Sequence, residues 1–92
     1  MTTFIEELVA LVADRKQNPK ANSYTNELLA DKTKAAQKMG EEATEVVIAA
    51  LAQSDQRLIE EMADLIYHSL VLLQTRDIAW SEVLAELEKR HK

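Results

Sequence analysis

Five carboxylates carry the clearest chemical signal of the sequence: Glu41, Glu42 and Glu45 in "GEEATE", then Glu61 and Asp64 in "EEMAD". At the angular step of a helix, Lys38, Glu41, Glu42 and Glu45 share one sector, and that sector continues as Ile48, Ala49 and Ala52. The opposite side, Met39, Ala43, Val46, Val47 and Ala50, is apolar too, so this helix is expected to give little surface to water. Burying an unpaired carboxylate is costly and a cluster of them repels itself, so something cationic is expected beside them. Glu61 and Asp64 are three residues apart and share a helix face with Leu65 and His68, surrounded by Leu58, Met62, Ile66, Leu70, Val71 and Leu73.

In an antiparallel hairpin turning at Gln53 to Gln56, Glu45 stands level with Glu61, and Glu42 with Asp64, to within about 2 Å of helix rise. Two facing carboxylate pairs with oxygen ligands alone suit a hard divalent cation, and Mg²⁺ is the usual choice where phosphate oxygens complete its shell. The plainer reading is a solvated acidic face with Lys38 paired to Glu42 and Arg57 to Glu61. The apolar continuation and the matching register favour the metal site. A di-iron bundle needs Glu-x-x-His on two helices, which this chain does not provide.

Gly40 stands directly before the acids, although glycine inside a helix costs about 1 kcal/mol relative to alanine. A close helix-helix contact or a kink is the expected reason; a bare backbone there would also leave room for phosphates.

The elements that position these residues follow from periodicity and punctuation. Phe4, Ile5, Leu8, Val9 and Val12 recur at spacings of three and four, which predicts an amphipathic helix capped at Thr2 or Thr3 and ending between Arg15 and Gln17, before Asn18-Pro19. "NPKANSYT", residues 18–25, reads as a loop, followed by a short helical "NELLA". A long helix from Lys32 to Ala52, the turn "QSDQ" with Ser54 or Asp55 as cap, and a second long helix to about Arg76 come next. A last amphipathic helix carries the stripe Trp80, Val83, Leu84 and Leu87, with Trp80 as its anchor. No segment alternates with the period of a strand. The fold class is therefore all-α: an antiparallel hairpin of two long helices flanked by shorter ones, in a single domain over residues 1–92.

Composition bounds the function. With 47% hydrophobic and 29% charged residues, one Gly and one Pro, the chain is that of a folded domain. The absence of cysteine excludes disulfides, thiolate metal sites and a cysteine nucleophile, and with no basic-then-apolar leader and no apolar run of about 20 residues a cytoplasmic location is expected. Residues 1–38 hold six Lys/Arg against five Asp/Glu, whereas residues 39–92 hold five against eleven. That acidic body argues against nucleic acid but not against a metal-held phosphorylated ligand. Hydrocarbon on more than one face of both long helices, Val46, Val47, Ala50 and Leu51 on the first and Ile59, Ile66, Leu70 and Val71 on the second, predicts a homodimer that completes the bundle.

Together "GEEATEVVIAA", "EEMADLIYHSLVLL", the upstream "NSYTNELL" and the terminal "VLAELEKRH" resemble the phosphoribosyl-ATP pyrophosphatase family of histidine biosynthesis. The wider pattern Glu-Glu-x-x-Glu followed by Glu-x-x-Asp is similar to that of the all-α MazG-like nucleoside triphosphate pyrophosphatases. The resemblance implies Mg²⁺-dependent hydrolysis of phosphoribosyl-ATP to phosphoribosyl-AMP and pyrophosphate. It implies Glu42, Glu45, Glu61 and Asp64 as metal ligands, with Glu41, or one of those four, orienting or deprotonating the water. Lys38, Arg15, Lys16, Lys20, Ser23 and Tyr24 are the candidate substrate contacts. His68 is expected to hold a ligand carboxylate rather than act in catalysis, and Tyr67 to pack. The competing expectations are a house-cleaning nucleoside triphosphate pyrophosphatase using the same metal site, and a non-catalytic helical dimerisation module.

Overall fold

In the computed structural model, which describes residues 2–92, five helices follow one another: α1 (Phe4–Gln17), α2 (Tyr24–Leu29), α3 (Lys32–Ala52), α4 (Asp55–Thr75) and α5 (Trp80–Arg90). Four of the five starts are fixed by a side-chain oxygen that accepts a backbone N–H of the first turn: Thr3 from Glu6, Ser23 from Asn26, Asp31 from Lys34 and Ser54 from Arg57. Before α5, Ala79 has no such oxygen, and Glu82 instead accepts the Ala79 N–H at 2.9 Å. Asn22 and Asp77 take up positive φ, 59° and 56°, in the two longer connections, a conformation that short polar side chains tolerate better than most.

The hairpin α3–α4 is the frame, and α1 and α2 cover only part of it. One residue from each of four helices, Val12, Leu28, Ala35 and Val71, forms the main core, with Leu29, Tyr67 and Leu72 packed around it. Because Ala35 opens α3 and Val71 closes α4, that core lies at the open end of the hairpin. Towards the turn, the buried residues Ala49 and Glu61 come from α3 and α4 themselves. Lys16 reinforces the covered end, where its ammonium donates to the Gln74 carbonyl at 2.9 Å and to Asp77 Oδ1 at 2.7 Å, tying α1 to the exit from α4.

Several expectations are corrected here. The loop is shorter than "NPKANSYT", because Ser23 serves as a cap and Tyr24 and Thr25 begin α2. The hairpin turn is Gln53 and Ser54 alone, since Asp55 and Gln56 already belong to α4. α3 is not enveloped: only Ala35, Glu42 and Ala49 are buried along it. Leu70 and Val71 are not surplus hydrocarbon but interior residues of this chain. Gly40 makes no close helix contact within the chain, because a Cβ added there would meet nothing within 4 Å. No neighbouring helix of the chain needs that glycine, and Gly40 lies opposite Glu42 and Ala49, on the outward side of α3. Trp80 does anchor α5, lining a crevice with Val9, Val12 and Leu70, but no residue of α5 is fully buried.

Candidate functional site

The shorter turn improves the register. A two-residue connection moves the midpoint of the hairpin to within about half a residue of the value at which Glu45 and Glu61 are level. Glu42 and Glu45, one helical turn apart on α3, meet Glu61 of α4, and each of the three offers an oxygen within 4.8 Å of the others'. The Asp64 carboxylate lies outside this group. Asp64 is exposed on the next turn of α4, so the structure brings together three of the four predicted ligands.

Burial separates this cluster from an ordinary acidic face. Glu42 is 8% exposed and Glu61 5%, and in each one oxygen, Oε2, is buried without a hydrogen-bond partner. Both ion pairs of the plainer reading do form. Lys38 Nζ lies 3.3 Å from Glu41 Oε2 and 3.9 Å from Glu42 Oε1, and the Arg57 guanidinium pairs with Glu61 Oε1 and, at 2.6 Å, with Glu60 Oε1. These monocations occupy the Oε1 atoms and leave the Oε2 atoms unanswered. Two buried, acceptor-only oxygens from facing helices, joined by the exposed Glu45, present the donor set that a hard divalent cation fits. The hydrogen bond to Glu41, then the charges of Glu41, Tyr24 and Glu42, hold the Lys38 pKa above its ordinary value. Arg57 is likewise held protonated, first by its hydrogen bond to Glu60, while Gln56 and then Arg57 lower the Glu60 pKa.

Around the cluster, the "SYT" residues have distinct tasks. Ser23 caps α2. Tyr24 Oη and His68 Nε2 are 3.2 Å apart, and Thr25 hydrogen-bonds Tyr67, so α2 is pinned to α4 by two polar contacts. His68 is 7% exposed and its Nδ1 is 2.8 Å from the Asp64 carbonyl rather than from its carboxylate. A carbonyl only accepts, so Nδ1 carries the hydrogen; in the neutral ring Nε2 therefore accepts from Tyr24. Tyr67, expected only to pack, adds the bond to Thr25 to an edge-on contact with His68 at 5.0 Å.

The basic residues divide. Lys16 is committed to the far end of α4, whereas among the described residues the Arg15 guanidinium has only a 3.6 Å approach to its neighbour Asp14, and Lys20 is exposed. Their loop is organised by Asn26, whose amide donates to the Arg15 carbonyl at 2.7 Å and accepts the Lys20 N–H at 2.9 Å. Asn26 escaped the sequence reading; its place in the first turn after the Ser23 cap was the available signal. Arg57 escaped as a lining residue: with Glu45, Ile48, Gln53 and Glu61 it encloses a cavity of about 240 Å³ beside the hairpin turn.

An all-α hairpin that levels buried carboxylates from its two long helices defines the MazG-like class of fold. Residues 5–91 match the family described as Phosphoribosyl-ATP pyrophosphohydrolase. The chain is 46% identical to a phosphoribosyl-ATP pyrophosphatase of Sulfolobus acidocaldarius over 96% of its own length and 94% of that protein. It is 47% identical to one of Metallosphaera sedula over the full length of both. A histidine biosynthesis bifunctional protein HisIE of Vibrio cholerae is 47% identical over 97% of this chain, which corresponds to 43% of that longer protein. The chain belongs to the phosphoribosyl-ATP pyrophosphohydrolase family.

Proposed function

We propose that the protein hydrolyses phosphoribosyl-ATP to phosphoribosyl-AMP and pyrophosphate, the second step of histidine biosynthesis, with Mg²⁺ held at the cluster. One observation carries the reading: Glu42 and Glu61 each bury an unpartnered Oε2, and an oxygen of each carboxylate lies within 4.8 Å of the other's and of one from Glu45. The phosphoribosyl-ATP pyrophosphatases that the chain resembles supply the substrate. Bound there, Mg²⁺ would polarise phosphate oxygens and stabilise the charge of a pyrophosphate leaving group. Glu42, Glu45 and Glu61 would hold it, and Asp64, exposed one turn on, is the candidate fourth ligand. Glu41 shares the acidic sector and is exposed, and once its pair with Lys38 opens it can orient the attacking water and take its proton. Lys38 sits one turn before both glutamates and faces the substrate's phosphates. Pyrophosphate release from phosphoribosyl-ATP with and without Mg²⁺, beside ordinary and non-canonical nucleoside triphosphates, is the test. Release only with phosphoribosyl-ATP and Mg²⁺ is expected; equal rates on the nucleotides would identify a house-cleaning enzyme instead.

The loop at the start of α2 contributes contacts to the non-reacting part of the substrate. Replacing Arg15 and Lys20 together by Ala is expected to raise KM about tenfold and to change kcat far less, because such contacts act in ground and transition states alike. Lys16→Met is the contrasting case. It is expected to leave KM unchanged and to lower stability by about 1 kcal/mol in urea denaturation, since Lys16 ties α1 to Gln74 and Asp77.

A further inference from the structure

Arg57 stands where helix physics does not favour it. Ser54 caps α4, so Arg57 is the third residue of its first turn, at the positive end of the helix dipole. Glu or Gln is favoured at that position, because its side chain reaches back to the N–H of the cap residue. Arg57 instead turns towards the site. Its guanidinium bonds Glu60 and Glu61 and forms one wall of the cavity that Glu45 and Glu61 also line. Half of its side chain is exposed while that of Glu61 is 7% exposed, so Arg57 stands between the buried carboxylate and solvent.

We propose that Arg57 is the resident cation of the metal-free site and becomes the clamp for the pyrophosphate group once a divalent ion is bound. The proposal rests on the reading of the cluster as a divalent-cation site. A divalent ion held by Glu42 and Glu61 would repel the guanidinium and take over the Glu61 charge that holds it. The released fork remains in the cavity wall and matches two phosphate oxygens at once, which a lysine at the same place does not. Linkage makes the competition reciprocal: the Arg57–Glu61 pair weakens metal binding by the factor by which metal weakens the pair.

Arg57→Gln is the informative variant: it can complete the reciprocal cap with Ser54 but leaves the buried Glu61 without its cation, so it is expected to melt lower than the parent in metal-free buffer and to regain stability with Mg²⁺. Titration calorimetry of both proteins with Mg²⁺ alone is expected to show the variant binding about three- to fivefold tighter, the scale of a half-exposed ion pair. With inorganic pyrophosphate in saturating Mg²⁺, it is expected to bind about tenfold weaker, the scale of a lost charge-assisted bond. Arg57→Lys keeps the charge and loses the fork; its Mg²⁺ affinity should match the parent while pyrophosphate affinity falls. An unchanged value for Arg57→Gln in either titration overturns the proposal and leaves Arg57 a surface partner of Glu60. A parent protein that takes up no Mg²⁺ overturns the cluster reading and this proposal with it.

Discussion

Glu61→Gln and Glu42→Gln are each expected to lower pyrophosphate release at saturating Mg²⁺ and substrate by about 10²- to 10³-fold, the scale of losing one preorganised electrostatic contact to the transition state. Thermal melting in metal-free buffer is expected to stay level or rise. Each variant removes one charge from a group of three carboxylates within 4.8 Å, and the buried Oε2 atoms lack any partner that folding would forfeit. Wild-type turnover would remove the metal assignment. A lowered melting temperature in that buffer would show that the pairs with Lys38 and Arg57 stabilise the fold. Glu45→Gln should behave like the buried pair in turnover, because its oxygen completes the cluster from the exposed side. Asp64→Asn measures whether the fourth carboxylate joins: a loss equal to that of Glu61→Gln shows that it swings in, and a small loss shows that three ligands suffice.

The readable part of this site was the part set by local rules. Lys32–Ala52 could be delimited because Asp31 caps one end and the turn at Gln53 and Ser54 closes the other. The meeting of Glu42, Glu45 and Glu61 followed from helix rise and the place of the turn, both local quantities. The errors arose where the answer depended on other elements. Nothing beside Lys16 in the sequence announces that its ammonium spans 58 residues to the Gln74 carbonyl. Asp64 has the right spacing from Glu61, yet its carboxylate direction depends on side-chain rotamers that periodicity does not fix. Gly40 was expected at a close helix-helix contact or a kink, and within the chain its side of α3 faces outward with no such neighbour. That last miss bears on assembly, because a helical glycine with no neighbour in its own chain gains nothing from being glycine there.

A homodimer is the second large expectation, and the single chain shows what it leaves uncovered. Its accessible surface is 6562 Å², against about 5400 Å² for a compact monomer of 10.4 kDa. Its radius of gyration is 14.2 Å, against about 12.3 Å for a compact domain of 92 residues. The excess surface, about 1200 Å², exceeds the roughly 800 Å² that each partner buries in a standard interface. Exposed hydrocarbon occurs on α1, α2 and α5 as well, but the hairpin carries the most of it, with Val47 (56%), Leu51 (83%), Ile59 (62%) and Ile66 (38%) among its exposed residues. Ala36, Gly40, Val47 and Leu51 fall within about 60° of one another on the outward side of α3, a smooth seam along which a partner helix can approach closely. Sedimentation equilibrium at micromolar protein is expected to give about twice the 10.4 kDa chain mass. Val47→Asp with Leu51→Asp is expected to return it to the chain mass, because paired carboxylates in an apolar seam would have to be buried uncompensated. Gly40→Ala separates the two states. In a lone chain the methyl meets nothing and raises helix stability by about 1 kcal/mol, whereas at a close helix crossing it weakens the dimer. An active parent protein at the chain mass would show that one hairpin suffices and that its exposed hydrocarbon serves some other contact.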